Sequence, residues 1–498
     1  MLRTSSYTIY VDLPDNGEEM LLVQTYTGAF DRVSRRVATF VRSLEPERPP
    51  KPLYGDWRPE PAVGGAVPAP SEGTLQLLEE RGYLTALSVP EEEEFFKRYV
   101  TRLHDAYSKR RPVYLFMPTY DCNLRCAYCF QDHMRTDGTY RHLLPLMRAE
   151  MVDRIFASFP RIEALHGIPE AAPVRTEIGL FGGEPLLAAS RPIVERILRQ
   201  GLDRGPATFW AISNGTELAA YEDLLGPAML SNIQITLDGP PREHDRRRVH
   251  ADGSGSWDAI ARNVEMALSR GVEISIRTNV DRGNIGDLPE LAAEIVSRGW
   301  DRSPGFRSQV APIRAHSDKT EAGSTLSTWE LDRLLTEMRH RFPAMSVLGR
   351  IDDSLRNQAH RIFTQQGLPT FKSSFCSAHT GMYIFDIFGD IYACWEKTGD
   401  KRVRIGNVEE GGEVHLNVDF ERLWRSRTVA SNPVCLKCRY NLFCGGGCAV
   451  LALDSHGSYY SNYCDGFAHR FRASVAEAYA DFAAGKELPA TARPLCDL

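Results

Sequence analysis

Three cysteines stand within one short run, Cys122-Asn-Leu-Arg-Cys126-Ala-Tyr-Cys129. Soft thiolates at this density select an iron–sulfur cluster or zinc. Three ligands rather than four leave one iron of a cluster open to the amino and carboxylate groups of a small molecule. Zinc is the alternative and needs a fourth ligand close by; His133 is the nearest histidine in sequence. Glu184, in Gly182-Gly183-Glu184-Pro185, is placed to accept from an ammonium group, beside glycines that let a ligand approach the backbone.

A second group is larger. Cys376 is followed after twelve residues by Gly389 and after four more by Cys394. Then come Cys435-x2-Cys438-x5-Cys444-x3-Cys448 and, fifteen residues on, Cys464. Gly445-Gly446-Gly447 would let backbone wrap an inorganic cluster. A pair of zinc sites is the competing reading, since C-x2-C is common in zinc ribbons. Cys496 is left over. The start of the chain, MLRTSSYTIYVDLPDNGEEM, lacks the basic-then-apolar plan of a signal peptide. The expected location is cytoplasmic, where reducing conditions favour metal binding over disulfides.

These residues need a frame. From residue 113 strands and helices alternate. Strands are predicted at 113–118, 176–181, 207–213, 233–237, 273–280 and 306–311. Helices are predicted at 142–158, 190–203, 217–228, 256–270, 286–298 and 328–341. Such alternation implies βαβ units around a parallel sheet, an α/β fold, with chemistry at the C-terminal strand ends. Gly182–Pro185, Ser213-Asn214-Gly215-Thr216, Thr236-Leu237-Asp238-Gly239-Pro240, and Arg277 with Asn279 all fall there. Ahead of the alternation, a hairpin over 6–27, a helix over 29–43, a loop from Pro46 to Pro70, a helix over 71–81, a strand over 84–89 and a helix over 90–109 suggest a small α+β unit of winged-helix character. Past residue 370 short strands, glycines and cysteines dominate, as in a domain organised by metal, and a helix is predicted at 467–484. The expected domains are 1–105, 110–345, 370–470 and a tail over 471–498. Net charge of −6 gives no prior for nucleic acid, and no apolar run is long enough to span a membrane.

With its C-x3-C-x2-C, an aromatic before the last cysteine, and the strand-end segments in order, the chain resembles the radical S-adenosylmethionine (SAM) superfamily. The fold implied is a partial (β/α)6 TIM-like barrel. The resemblance implies a [4Fe–4S] cluster on Cys122, Cys126 and Cys129. It implies SAM contacts from Tyr128, Gly182, Gly183, Glu184, Ser213, Asn214, Thr236, Asp238, Arg248 and Arg277. It also implies reductive cleavage of SAM to a 5′-deoxyadenosyl radical that abstracts hydrogen, with an external flavodoxin- or ferredoxin-type donor. The second cysteine group resembles SPASM domains, which usually hold two auxiliary [4Fe–4S] clusters, for three in all. By that resemblance Cys376, Cys394 and Cys448 serve auxiliary cluster I. Cys435, Cys438, Cys444 and Cys464 serve auxiliary cluster II. The fourth ligand of the first is an open iron or Cys496.

SPASM enzymes mostly modify peptides or proteins, and the front region resembles the precursor-recognition element of ribosomal-peptide (RiPP) maturases. The expected substrate is therefore a precursor peptide with a leader, held by β-augmentation. Sulfatase-maturing enzymes are the rival, but they carry Asp after the cysteine that Cys394 matches, where this chain has Trp395-Glu396. Glu396 is the one candidate general base. A metal-stabilised DNA-binding regulator is the reading from another class, given the arginines of the 29–43 segment.

Overall fold

The computed structural model describes residues 2–14, 16–46, 67–170, 172–173, 175–315 and 320–487. Cys496 and most of the Pro46–Pro70 loop lie outside them. Two compact units form. One joins the front of the chain to Asp352–His379 and to the stretch from Ser426 onward; the other contains Ser108–Ile351 and Thr380–Arg425. This differs from the expected division. The stretch 370–470 is not one body, because its middle third adds strands to the barrel sheet.

In the first unit β1 (Arg3–Thr4) is followed by β2 (Thr8–Leu13), β3 (Asn16–Gln24), β4 (Phe30–Ser34), α1 (Arg35–Ser43), α2 (Glu72–Glu80), β5 (Leu84–Thr85) and α3 (Val89–Ser108). β2, β3 and β4 make an antiparallel sheet, and β1 pairs with β5. Period-two alternation buries both sheet faces. Ile9, Val11, Leu21 and Val23 pack with Phe471 and Val475. Tyr10, Met20 and Leu22 pack with Phe40, Val41 and Leu78. The helix expected over 29–43 begins only at its cap, where Ser34 Oγ accepts from Val37 N–H. The residues before it pair as the third strand.

The second unit is built on β6 (Val113–Phe116), α4 (Asp132–Thr136), α5 (Ala149–Leu165), β7 (Thr176–Leu180), α6 (Arg191–Asp203), β8 (Ala207–Ser213), β9 (Leu230–Thr236), α7 (Pro241–Arg247), α8 (Trp257–Ser269), β10 (Glu273–Val280), α9 (Leu288–Ser297), β11 (Phe306–Pro312) and α10 (Thr328–Arg341). β6 to β11 are parallel neighbours in chain order. The apolar runs of β6 and β7 are largely buried on both faces, whereas β10 alternates, burying Ile274, Ile276, Thr278 and Val280. Two expected helices differ. Residues 218–224 form a 3-10 segment, and the helix expected from 142 starts at Ala149 after a 3-10 run over 138–143.

Farther on come α11 (Asp353–Gln365), β12 (Met382–Phe385), β13 (Asp390–Tyr392), β14 (Gly406–Val408), β15 (Val414–Leu416), α12 (Val418–Arg425), α13 (Pro433–Leu436), α14 (Asn441–Cys444), α15 (Ala449–His456) and α16 (Phe467–Ala483). β12 joins the open edge of β6 in parallel, and β13 to β15 continue antiparallel, giving a ten-stranded sheet. No helix among the described residues is long and apolar enough to cross a membrane.

Candidate active site

The loop after β6 carries Cys122, Cys126 and Cys129, which cluster with Leu124 and Tyr128. Its position is fixed from two strand ends and from the turn after α7. After β7, Gly183 N–H donates to Thr119 O at 3.1 Å and Glu184 N–H to Asp121 O at 2.7 Å. A side chain could not be fitted here: a Cβ on Gly183 would lie 2.1 Å from Asp121 O, and one on Gly182 2.5 Å from Thr119 O. After β8, Asn214 Nδ2 donates to Asn123 Oδ1 at 2.8 Å and approaches Cys122 Sγ at 3.7 Å. After α7, Arg125 N–H donates to Val249 O at 2.8 Å.

Glu184 is buried, and its carboxylate accepts from Leu186 N–H and Ser213 Oγ, both at 2.8 Å, and from Asn214 N–H at 2.5 Å. Burial nevertheless pushes its carboxyl up to about 7. Two donors use Oε1 and one uses Oε2, so Oε2 keeps a lone pair for a cationic ligand.

A polar network centres on Tyr128, the residue before the third cysteine. The Tyr128 hydroxyl donates to Asp238 Oδ2 and accepts from Arg248 Nη1 at 2.5 Å. Asn279 N–H donates to Asp238 Oδ1 at 2.9 Å. His244 Nδ1 accepts from Asp238 N–H at 3.3 Å, and Nε2 lies 3.0 Å from Ser256 Oγ. Burial raises the Tyr128 phenol far above its ordinary value and drives His244 far below its own. Thr236 and Arg277 are paired across β9 and β10, and Arg277 Nε donates to Asn279 Oδ1 at 2.9 Å.

Several contributors had no motif. Arg135, on α4, donates from Nη2 to Cys129 Sγ at 3.2 Å. Tyr120, two residues before Cys122, donates to buried Asp386 Oδ2 at 3.0 Å. Trp395 stacks on Phe181, the residue before Gly182, with centroids 5.4 Å apart. Glu396 is half-buried and has no hydrogen bond or ion pair among the described residues. A lone arginine or tryptophan leaves no sequence signal; only the position of Trp395 after Cys394 hinted at its place.

Do the cysteines suit a metal group? Burial pushes the Cys122 thiol up to about 11 and Cys126 up to about 12. Such buried sulfurs lose their protons only against a strong cationic centre. Sγ of Cys122 also accepts from Leu124 N–H at 3.4 Å. Among the described residues no three His, Cys, Asp or Glu side chains converge tightly enough for a single ion. A cluster spreads its thiolates over separate irons, which three cysteines on one short loop can supply. His133 instead packs edge-on against the Tyr140 ring.

In the first unit Cys435, Cys438, Cys444 and Cys464 line one cavity, with Gly446 and His469. Asn432 Oδ1 accepts from Val434 and Cys435 N–H, and Asn462 Nδ2 donates to Cys464 Sγ at 3.2 Å. A Cβ on Gly447 would lie 2.0 Å from Tyr463 O, so only glycine allows the turn beside Cys448. Burial, and after it the charge of Cys448, push the Cys376 thiol up to about 11. Cys394 belongs to the other unit, two residues after β13.

Residues 116–295 match the profile of the Radical SAM superfamily. The GTP 3′,8-cyclase of Erythrobacter litoralis is 27% identical over 204 residues, 40% of this chain and 55% of that protein. That of Acidothermus cellulolyticus is 32% identical over 176 residues, 34% and 44% of the two chains. This chain thus spans about half the length of the curated relatives it matches. Among solved structures, anSMEcpe with bound AdoMet and Kp18Cys peptide is similar with a TM-score of 0.52 at 16% identity, over 75% of this chain and 99% of that one. At that identity the likeness is one of fold. A radical SAM domain works with a [4Fe–4S] cluster and SAM, which the buried cysteines and Glu184 suit. The segment from Phe116 to Ile295 is a radical SAM domain.

Proposed function

We propose that this chain is a radical SAM enzyme of the SPASM type, a peptide maturase holding three [4Fe–4S] clusters and acting on a ribosomally made precursor peptide to install a cross-link or other oxidative change. The observation that carries the reading is the cavity lined by Cys435, Cys438, Cys444 and Cys464 in the unit that also contains the front sheet. The peptide held in the anSMEcpe structure, whose fold this chain resembles, supports a peptide substrate. So does β4, an edge strand with no further strand beside it among the described residues, which offers backbone groups to a leader peptide.

When bound, the cluster of Cys122, Cys126 and Cys129 and SAM supply one-electron cleavage and a hydrogen-abstracting radical. The chain's own residues do the rest. Oε2 of Glu184 takes the SAM ammonium. Ser213 and Asn214 hold that carboxylate. Tyr128, Asp238, Arg248 and Arg277 fix the loop and strand ends on which SAM rests. Phe181 and Trp395 keep water from the strand ends. Cys376, Cys394 and Cys448 serve one auxiliary cluster, and Glu396 stands as its candidate base. A flavodoxin- or ferredoxin-type protein delivers the electron.

Iron and sulfide are counted on anaerobically reconstituted protein, and 5′-deoxyadenosine release is followed with SAM and dithionite. About twelve irons per chain, with release stimulated by a small-peptide extract and lost after protease treatment of that extract, is the expected result. Stimulation by GTP alone would move the enzyme toward the chemistry of its cyclase relatives. Formylglycine on a sulfatase peptide would favour the sulfatase-maturing alternative.

A further inference from the structure

Arg427 stands between α12 and α13 and is 4% exposed. Its Nε donates to Tyr459 O at 2.6 Å, and Nη2 donates to Ser461 O at 3.0 Å and to Gly446 O at 3.3 Å. All three partners are neutral carbonyls. Other buried arginines of the same unit are paired with carboxylates: Arg439 with Glu45 at 3.1 Å, and Arg470 with Asp352 at 2.5 Å and Asp465 at 2.8 Å. Among the described residues no carboxylate lies within ion-pairing distance of Arg427.

What Arg427 faces instead is sulfur. Cys435, Cys376, Cys448 and Cys444, two from each auxiliary set, lie near enough for their charge to act on it when they are ionised. The approach is close. The point where a Cβ on Gly446 would stand is 3.6 Å from Cys435 Sγ and 4.0 Å from Arg427 Nη2. Gly446 itself takes a φ of +84°, a left-handed conformation that favours glycine, and its carbonyl is one of those that Nη2 of Arg427 bonds. A buried guanidinium without a counter-charge is strongly unfavourable, and four thiols in their neutral form would not relieve it. A net-negative cluster held on these cysteines would supply the missing counter-charge.

We propose that Arg427 is the shared counter-charge of the two auxiliary cluster sites, one fixed cation that raises the reduction potential of both. The proposal rests on the reading of two auxiliary clusters given above. Each electron added to a cluster makes it more negative, and a nearby positive charge in a medium of low dielectric favours that state. Arg427 is a positioning and tuning residue; it touches no substrate.

The test is potentiometry followed by electron paramagnetic resonance on anaerobically reconstituted full-length wild type, Arg427→Gln and Arg427→Lys, with iron and sulfide counted in each. The expected result is wild-type iron in Arg427→Gln with both auxiliary potentials shifted to more negative values, and Arg427→Lys nearer the wild type. If the Gln variant fails to load, restored loading in the Lys variant supports the charge, and loss of iron in both overturns it. Full iron in Arg427→Gln with either auxiliary potential unmoved removes the shared role alone. A wild-type count near four irons removes the auxiliary clusters themselves and this proposal with them.

Discussion

The hydroxyl of Tyr7 donates to the carbonyl of Leu436 at 2.7 Å, across 429 residues of sequence. The Tyr7 ring stacks on Phe96 at 4.3 Å, and both are buried with Val100, Val429, Cys435 and Leu442. The first hundred residues therefore supply three of the seven buried residues of the core that holds Cys435 in place. Removing residues 1–105 is expected to lower the iron count by about four per chain, besides any effect on peptide binding. The milder Tyr7→Phe leaves a buried carbonyl unpaired and is expected to cost about 1–3 kcal/mol, read as a lower denaturant midpoint.

Glu184 offers its one spare lone pair to a cation. Glu184→Gln keeps the shape and loses the charge. It is expected to weaken SAM binding by about 1.5–3 kcal/mol, on the order of ten- to a hundredfold in Kd. Iron content should stay at the wild-type level. Equilibrium dialysis with labelled SAM measures the change; an unaltered Kd would remove Glu184 from the ammonium site.

Tyr128→Phe deletes the hydroxyl that links Asp238, Arg248 and Asn279. Asp238 keeps Arg248 at 3.7 Å and the Asn279 N–H, so the loss is partial. A fall of about 1–3 kcal/mol in stability is expected, with slower SAM cleavage because the third cysteine stands directly beside residue 128.

Asp386 is raised to about 7, first by burial and then by the charge of Asp390. A carboxyl raised above its unfolded value binds its proton more tightly in the folded chain. Its stabilising contribution is whole below about pH 4 and lost as pH rises through about 7. His166 and His244, both lowered by burial, act with the opposite sign near the same range. The measurement is therefore a difference. Relative to wild type, Asp386→Asn is expected to gain about 1 kcal/mol more stability at pH 8 than at pH 6, followed by thermal unfolding of cluster-free protein.

The barrel strands were legible because each is an apolar run closed by a glycine- or polar-rich turn, and the chemistry gathers where those turns fall. β4 was not. Its FDRVS carries two charges and runs straight into RRVATFVRS, so helical periodicity swallowed it. The segment Leu218–Leu224 has amphipathic spacing yet tightens to 3-10 geometry, a difference periodicity does not resolve. The joining of β12 to β6 depends on contacts between residues near 113 and near 382, which local pattern cannot carry. Glu184 and the cysteines sit in motifs. Arg135 and Arg427 act only through where folding puts them, and nothing in their flanking residues marks them.

The pairing of β12 with β6 sets a timetable for synthesis. β6 binds β7 on one side, but its other edge has no partner until Met382–Phe385 leaves the ribosome. At about 5–20 residues per second that delay is on the order of tens of seconds. Through that interval the nascent chain presents an apolar edge, Val113–Phe116, next to three unliganded thiols. Such an edge invites pairing with other chains, and the thiols invite oxidation. Yield of the intact protein should therefore depend on chaperone supply and on low oxygen during translation, well before any cofactor is inserted.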